Sequence, residues 1–293
     1  MKELNFKVDE MKCIHCGLCK EDCIEDVISF DKNGFPQAEQ PDNCITCQHC
    51  FSVCPVGAIS IFNKNPDRSG QIMIHNPEMI LNLIKSRRSI RKYKPENVSE
   101  ETLGKLKDML KWIPTGCNDH KLHFSFIDDV KTMDKFRNHV NNKIIKALTI
   151  APVKAVSDKF KSYTQDLIDG KDIIFRGAPH MLVVSSPITA PCAPEDPIIA
   201  LSYFELYAQS LGLGTCWCGY AQICMKLFPE LSEFLEIPKG YTSGYVMLFG
   251  NKDINYSRTT QPDDYLISSI RNKEFEKVSV LNKLKRYFWN FIR

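Results

Sequence analysis

The sequence predicts an α+β protein with two domains: a small cysteine-rich module and a larger domain in which strands and helices are mixed. Three observations support this fold class. Eight of the 13 cysteines lie between residues 13 and 54, the composition changes near Pro77, and the segment beyond Pro77 contains both helical periodicity and short β-type apolar runs. A chain of 293 residues is long enough for two domains with a sizeable core in at least one of them.

The cysteines of the first module form an internal repeat with the spacing C-x2-C-x2-C-x3-C. The second copy follows the first after 31 residues, and the two copies are Cys13, Cys16, Cys19, Cys23 and Cys44, Cys47, Cys50, Cys54. Pro55 follows the second copy, whereas Ile24 follows the first, and this difference removes no ligand. The pattern is typical of bacterial ferredoxins with two [4Fe–4S] clusters.

The same spacing predicts which cysteines share a cluster. Three thiolates spaced by two residues can wrap one iron–sulfur cube, but the fourth lies too far along the chain to return to that loop and binds the other cluster. We therefore assign one [4Fe–4S] cluster to Cys13, Cys16, Cys19 and Cys54, and the other to Cys44, Cys47, Cys50 and Cys23. The alternatives are zinc bound by C-x2-C pairs and a disulfide framework; zinc sites usually use two pairs rather than two triplets.

Charge and hydropathy indicate a reducing, cytoplasmic compartment. Cysteines in metal-ligand spacing must stay reduced, and the charged start, MKELNFKVDE, lacks the apolar core of a signal peptide. The most apolar long window, Ile198–Trp217, is interrupted by Glu205 and Gln209, so we expect no transmembrane span. The net charge of +3 divides into −5 for residues 1–62 and +8 for the remainder, which favours electrostatic docking of the module or an external redox partner. No nucleic-acid-binding motif is present.

The elements of the first module are short. Residues 4–8 and 59–62 are predicted as β segments, and Ile28–Phe30 as a strand that enters a turn. We therefore assign residues 1–65 to the cluster module and residues 66–77, which are rich in turn-forming side chains, to a linker.

The larger domain is predicted over residues 78–275. Met79, Ile80, Leu83 and Ile84 follow helical spacing. Ser99 is a predicted N-cap of a helix whose apolar face is Leu103, Leu106, Met109, Leu110 and Ile113. Two strands, three helices and a last strand are then predicted at His123–Ile127, Met181–Val184, Ile198–Leu211, Gln222–Leu227, Leu231–Glu236 and Tyr245–Phe249. Residues 131–170 show only weak helical periodicity.

The last segment, residues 276–293, is predicted as a basic amphipathic helix. From Lys277 onward it carries five Lys/Arg and no acidic residue, with the apolar stripe Leu281, Leu284, Phe288 and Phe291. Such a helix either contacts a membrane surface or docks on a partner subunit, and we favour docking.

Four short motifs of the larger domain follow one another in a recognisable order. They are Arg87-Arg88-Ser89-x-Arg91, Pro114-Thr115-Gly116-Cys117-Asn118, Leu211-Gly212-Leu213-Gly214-x-x-Trp217 and Ile237-Pro238-x-Gly240-Tyr241. This order resembles the nitroreductase family, and with the cysteine repeat in front, residues 1–260 resemble a ferredoxin–nitroreductase fusion. The resemblance implies a central, mostly antiparallel sheet flanked by helices, bound FMN, and a homodimer with the flavin at the subunit interface.

The resemblance also implies roles for individual residues. Arg87, Arg88, Ser89 and Arg91 would hold the phosphate and ribityl groups, for which clustered guanidinium groups are suited. Pro114, Thr115, Gly116 and Asn118 would line the flavin; Gly116 would let backbone approach the ring. Cys216, Trp217, Cys218 and Gly219 would offer backbone N–H groups to its reactive edge, and Arg258 would close on the phosphate. His120, Lys121 and Leu122 depart from the family, which often has Gln, Pro and Trp there.

No side chain is predicted as catalytic with conviction, because the flavin itself performs the chemistry. Cys117 and His120 are weak candidates, for facing the substrate and for donating a proton. Cys216 and Cys218 are expected to be buried fillers rather than a redox pair, since one intervening residue would strain a disulfide.

The expected function is that of an FMN-dependent oxidoreductase. Single electrons would pass through two [4Fe–4S] clusters to FMN, which would reduce a small organic acceptor, such as a nitroaromatic, a quinone or an activated alkene, by two electrons. Reduced ferredoxin or a similar iron–sulfur protein is the expected donor, rather than NAD(P)H. The alternatives are an electron carrier for a protein partner, a flavin-dependent reductive dehalogenase and a zinc module.

Overall fold

The computed structural model of the protein describes residues 3–150 and 165–273. The chain divides into two compact units, residues 1–258 and residues 259–293. The first unit contains the cysteine-rich module and the sheet of the larger domain. In the second unit, residues 259–273 form no regular helix or strand.

The helices and strands of the first unit are numbered in chain order. The strands are β1 Lys7–Val8, β2 Ile28–Phe30, β3 Pro36–Ala38, β4 Ile59–Ser60, β5 His123–Ile127, β6 His180–Pro187, β7 Leu213–Trp217 and β8 Tyr241–Asn251. The helices are α1 Leu18–Glu21, α2 His49–Ser52, α3 Pro77–Ser86, α4 Glu100–Met109, α5 Val130–Ile150, α6 Glu195–Ser210, α7 Gly219–Leu227 and α8 Glu230–Phe234.

The cysteine repeat is also a repeat of backbone conformation. Strand β1 pairs with β4 and β2 pairs with β3, both antiparallel, and α2 begins 31 residues after α1. Left-handed residues recur at the same offset of 31: His15 with Thr46, Gly17 with Gln48, and Asp26 with Gly57. Because a left-handed residue turns the chain sharply, each pair bends its cysteine loop in the same way.

The core of this module is small. Its buried apolar side chains include Val27, Ile28, Phe51, Ile59 and Ile61, and Cys19 and Cys50 are buried with them. A core of this size rarely stabilises a fold by itself, so bound clusters would contribute much of the stability of the module.

The larger domain is built on a four-stranded antiparallel sheet with the order β5-β6-β8-β7, which confirms the predicted fold class. Strand β6 lies inside the sheet, and its residues Met181–Val184 are fully buried. Alternate side chains of a strand point to opposite faces. Met181 and Val183 pack with α5 and α7, and Leu182 and Val184 pack with α4 and α6. The domain therefore has helices on both faces of the sheet.

Local sequence signals explain several helix limits. The Ser99 hydroxyl accepts a hydrogen bond from the Thr102 N–H and caps α4, as predicted, and Leu103, Leu106, Leu110 and Ile113 are buried. The predicted helical stripe Met79, Ile80, Leu83 and Ile84 lies on α3, whose N-cap is Asn76; three of these four side chains are exposed.

The structure differs from the sequence prediction at β7, α5 and β8. The sequence predicts no strand at Leu213–Trp217, because glycines at 212 and 214, directly after the predicted helix Ile198–Leu211, are typical of a helix end. Gly212 does end α6 with φ 83°, and the strand begins at the next residue. Helix α5, Val130–Ile150, occupies a segment of weak periodicity, and β8 is longer than predicted, Tyr241–Asn251.

The predicted basic helix at residues 276–293 lies outside the described residues. Within residues 3–150 and 165–273, no helix is both long and apolar enough to cross a bilayer.

A buried histidine links the stability of the sheet to pH. His180, at the start of β6, is fully buried, its Nε2 atom accepts a hydrogen bond of 2.9 Å from the Val98 N–H, and its ring lies 5.2 Å from that of Phe249. Burial lowers the pKa of His180 from 6.5 to about 4, against the opposing effect of Asp128. The folded protein therefore holds this ring neutral in a pH range where the unfolded chain binds a proton.

We expect the stability of the protein to fall as the pH falls through the range between these two pKa values. The unfolded state binds more protons there. The titration of His180 should therefore lower the unfolding free energy by about 2 kcal/mol when the pH falls from about 8 to about 5. His180→Gln keeps an acceptor for Val98 and does not titrate, so its urea midpoint should change less over this range. His75→Gln, at an exposed site, is the matched control. Equal pH dependence in the wild type and His180→Gln would contradict the assignment.

Candidate functional site

Four cysteines from both copies of the repeat surround one cavity. Its lining includes Cys13, Cys16, Cys19 and Cys54, together with Phe30, Val56 and Ile59. These are the four cysteines assigned to one cluster from the spacing. The four thiols of one predicted cluster therefore lie together, among apolar side chains. The backbone N–H of Ala58 donates to Cys54 Sγ at 3.2 Å, which is the kind of contact that tunes a cluster.

The other four cysteines also lie near one another. Burial, together with the charges of Cys47, Cys44 and Cys23, raises the pKa of the Cys50 thiol to about 12. For Cys19, burial again raises the pKa, and the neighbouring thiolates are Cys16 and Cys54. Thiols of this kind lose their protons when bound iron compensates their charge.

All 13 cysteines lie among the described residues, and none of them forms a disulfide. In the same part of the chain, no three His, Cys, Asp or Glu side chains converge closely enough to hold a single metal ion. Which cysteines bind iron stays a prediction.

The arginine-rich segment after α3 is fixed along the edge strand β7. Ser89 forms a parallel bridge with Thr215, and the Ile90 N–H donates to the Thr215 carbonyl at 2.8 Å. The segment can approach this closely because residue 214 is glycine: a Cβ atom there would lie 2.8 Å from Ile90 Cβ. The hydroxyl of Tyr93 donates to the Ile90 carbonyl at 2.8 Å and closes the turn that carries Arg91.

A buried carboxylate joins this segment to the rest of the domain. Glu205 of α6 accepts hydrogen bonds from Arg87 at 3.2 Å, from the Thr215 hydroxyl at 3.2 Å and from Trp217 Nε1 at 3.0 Å. Its side chain is only 8% exposed. Arg87 is therefore held by the protein itself, and the same contact fixes β7 and the indole of Trp217.

Arg91 shares a cavity with the predicted flavin segment. The cavity is lined by Arg91, Arg176 and Cys216–Gly219, with Ile174, Tyr220, Ile223 and Leu248. It lies at the first turn of α7, where the helix dipole is positive. Arg176 was missed by the sequence analysis; it is a left-handed residue with φ 55° between α5 and β6, and no local motif marks it.

The other predicted phosphate ligands are placed differently. Arg88 lines a separate cavity with Ser86, Lys252 and Tyr256, because alternate side chains of an extended segment point to opposite sides. Its Nη2 atom is buried and has no partner in the described part of the chain. Arg258 is exposed beyond the end of β8. Of the predicted phosphate ligands, Arg91 is thus the one that the structure brings into a cavity with Cys216–Gly219.

Cys216 and Cys218 are buried, as predicted, and do not form a disulfide. The Cys218 sulfur accepts the Ala221 N–H at 3.4 Å and caps α7. Burial raises the pKa of Cys218 to about 12. Burial also raises the pKa of Cys216, although Arg91, Arg176 and Arg87 act in the opposite direction, so three guanidinium groups lie near this sulfur.

The loop after α4 holds a strained conformation. Cys117, Asn118 and His120 are all left-handed, with φ values of 52°, 54° and 47°, and non-glycine residues in this region mark functional loops. The Gly116 N–H donates to Asp196 Oδ1 at 2.9 Å. A Cβ at residue 116 would lie 2.4 Å from Cys192 Sγ, so packing against Cys192 requires glycine at this position. The sequence analysis assigns Gly116 instead to the approach of the backbone to the flavin ring.

Asn118 contacts the cysteine-rich module. Its amide nitrogen donates to the Ile45 carbonyl at 2.9 Å and lies 3.3 Å from the Thr46 hydroxyl. Its oxygen lies 2.7 Å from His120 Nε2. A cavity of about 960 Å³ extends from here, lined by Thr46, Gln48, Phe62 and Lys64 of the module and by Thr115, Asn118 and His120 of the larger domain. Contact of Asn118 with a flavin stays a prediction.

The two weak catalytic candidates are accessible in this loop. Cys117 is exposed, and His120 is exposed and hydrogen-bonded to Asn118. His120 lines the cavity of Asn118, and neither residue lines that of Arg91.

Comparison with known proteins identifies both parts of the chain. Residues 84–251 match the model of the Nitroreductase family, and residues 12–75 match the model of a 4Fe-4S dicluster domain.

The curated relatives match the cysteine-rich part. An uncharacterised ferredoxin of Methanocaldococcus jannaschii is 33% identical over 66 residues, which cover 22% of this chain and 86% of that protein. An archaeal-type NADPH glutamate synthase of Dehalococcoides mccartyi is 33% identical over 82 residues, covering 27% of this chain but only 16% of that protein.

Solved structures share the fold of the larger domain. A nitroreductase with bound FMN from Desulfitobacterium hafniense matches with TM-score 0.54 and 24% identity over 68% of this chain and 100% of that chain. A nitroreductase with bound FMN from Bacteroides fragilis gives TM-score 0.52 and 19% identity over 67% and 100%. A BluB-like flavoprotein from Clostridium difficile gives TM-score 0.51 and 21% identity over 64% and 99%. At these identities the likeness shows the fold.

We expect Glu205→Gln to destabilise the larger domain. The substitution removes the charge that Arg87 needs and turns an N–H₂ group toward one of the three donors, so it should lower the unfolding free energy by about 1–3 kcal/mol. Urea unfolding followed by tryptophan fluorescence measures this change. Glu195→Gln, at an exposed position on the same helix, should cost less than about 1 kcal/mol. Equal effects of the two substitutions would show that the Glu205 network contributes nothing.

Proposed function

Because this chain belongs to the nitroreductase family and carries a 4Fe-4S dicluster domain, we propose that it is an iron–sulfur flavoprotein that uses FMN to reduce a small organic acceptor. Two [4Fe–4S] clusters accept single electrons, and the flavin stores two of them for one two-electron reduction. Nitroaromatics, quinones and activated alkenes are acceptors of this class. A reduced ferredoxin or similar iron–sulfur protein is the donor.

The observation that carries this proposal is the cavity beside β7. Arg91 and Arg176 supply two positive charges to it, and the first turn of α7 adds the positive end of a helix dipole. A flavin mononucleotide has an anionic phosphate and a pyrimidine edge that becomes electron-rich on reduction, and both are stabilised by such groups. Cys216–Gly219 form the wall along which the planar ring lies.

The rigid surroundings keep this wall in position. Glu205 holds Trp217 and Arg87, and the buried Cys218 caps α7. All of these contacts join groups of the protein to one another, so the wall is held in place by the protein itself. Arg88, whose Nη2 atom is buried without a partner, is a further donor for an anionic group.

The cysteine-rich module lies against the same domain. Asn118 donates to the loop between Cys44 and Cys47 at 2.9 Å, so one of the two cluster loops contacts the nitroreductase domain directly. Electron transfer needs redox groups that lie close together, and this contact brings one cluster loop to the larger domain at the cavity of Asn118, which is separate from that of Arg91.

The protein acts as a homodimer in this proposal. Helix α6 exposes Ile199, Tyr203 and Tyr207 at intervals of four residues, and Tyr203 is 51% exposed. Helix α3 exposes Ile80 and Ile84. Apolar side chains in such stripes are covered when a second copy of the chain binds.

Anaerobic purification tests the proposed function directly. The protein should contain about eight iron atoms, about eight sulfides and about one FMN per chain, and the chemically reduced protein should turn over a small nitroaromatic or quinone in the steady state. Zinc in place of iron would contradict the cluster assignment. Failure to turn over any small acceptor, with rapid reduction of a carrier protein, would instead show an electron carrier.

We expect Arg91→Ala to weaken FMN binding without loss of iron. Removing a charge-assisted hydrogen bond should raise the FMN dissociation constant roughly 10- to 100-fold, measured by fluorescence on deflavinated protein, and Arg176→Ala should act in the same direction. Arg68→Ala, at an exposed site in the linker, is the control. Unchanged flavin retention in Arg91→Ala would show that another group binds the phosphate.

A further inference from the structure

The peptide group between Ile45 and Thr46 is hydrogen-bonded on both of its sides. Its carbonyl accepts from Asn118 Nδ2 at 2.9 Å. Its N–H, that of Thr46, points to the opposite side of the peptide, and while burial raises the pKa of the Cys44 thiol, hydrogen bonding from Thr46 lowers it. A single amide therefore connects a side chain of the nitroreductase domain with a predicted cluster ligand.

The orientation of Asn118 is fixed from its other end. The Asn118 oxygen lies 2.7 Å from His120 Nε2, and because an amide oxygen only accepts, His120 must donate there. The Thr46 hydroxyl lies 3.3 Å from the Asn118 nitrogen. The amide group is thus held with its N–H₂ toward the cysteine loop.

Hydrogen bonds in a chain polarise one another. Donation to the Ile45 carbonyl makes the Thr46 N–H a stronger donor, and a stronger N–H···S bond stabilises the more negative, reduced form of a cluster. The effect of Asn118 is therefore to raise the reduction potential of the cluster that Cys44 binds.

The first copy of the repeat has no counterpart of this contact. Its equivalent peptide lies between Ile14 and His15, and among the described residues no side chain donates to the Ile14 carbonyl. His15 is instead directed to the Gly34 carbonyl, at 3.0 Å, and to the ring of Phe35, at 4.5 Å. Two loops with the same backbone conformation therefore differ in this hydrogen bond.

We propose that Asn118 raises the reduction potential of the cluster on Cys23, Cys44, Cys47 and Cys50. This inference rests on the proposed function. A higher potential would favour residence of an electron in the cluster whose loop contacts the nitroreductase domain, and a reduced iron–sulfur protein, which is oxidised, would supply that electron. Asn118 is a positioning residue, since it acts through the Ile45–Thr46 peptide.

An anaerobic redox titration followed by electron paramagnetic resonance tests this. The wild type should show two cluster potentials, and Asn118→Ala should shift one of them downward and leave the other unchanged. Asn118→Asp should do the same, because a carboxylate cannot donate to Ile45. Asn97→Ala is the matched control, since Asn97 also makes a hydrogen bond to backbone, at 2.8 Å to the Val130 N–H, but contacts no cysteine loop.

A second variant keeps the test decisive if Asn118→Ala loses iron. His120→Ala removes only the anchor of the amide, so it should shift the same potential downward by less. If Asn118→Ala retains its iron, unchanged cluster potentials in this variant would overturn the inference. If it loses iron, unchanged potentials in His120→Ala would do so. In both cases the proposed function stands. Wild-type protein without iron and sulfide would instead overturn the proposed function, and this inference with it.

Discussion

Two buried carboxylates on helix α6 hold the separate parts of the candidate site. Asp196 binds the Gly116 N–H at the start of the helix, and Glu205 binds Arg87. The two residues are nine positions apart, which corresponds to roughly 13 Å along the helix axis. A packed helix changes its length very little, so α6 fixes the distance between the strained loop and the arginine segment. Both carboxylates accept bonds that buried donors would otherwise lack.

The sequence predicts structure that depends on residues near one another in the chain, and it fails where the partners are far apart in the chain. The cysteine repeat is predictable because its loops are local, and the N-cap at Ser99 and strand β5 depend on neighbouring residues. Strand β7 was missed because its only local signal, glycine at 212 and 214, also suits a helix end; its pairing with β8 and with Ile90 makes it a strand. Arg176 enters the cavity through the tertiary fold, which no spacing of residues reveals.

The four-residue arginine motif shows the same limit within the site. The sequence places Arg87, Arg88, Ser89 and Arg91 together but does not give their directions. An extended backbone separates Arg88 from Arg91, and Glu205, 118 residues away, determines what Arg87 binds. Motif order was therefore sufficient to predict the family and the fold, whereas the partner of each side chain depended on long-range packing.

The two cysteine loops of the module show how a long-range contact distinguishes similar local structures. The tandem repeat gives both loops the same backbone conformation, so they differ through their side chains and through the groups that they contact. One such difference arises where the module meets the larger domain, because Asn118 is bonded to a loop 73 residues earlier in the chain and, among the described residues, not to the other copy of the repeat. Fusion of the two domains thus supplies an asymmetry that a free module of the same sequence would lack.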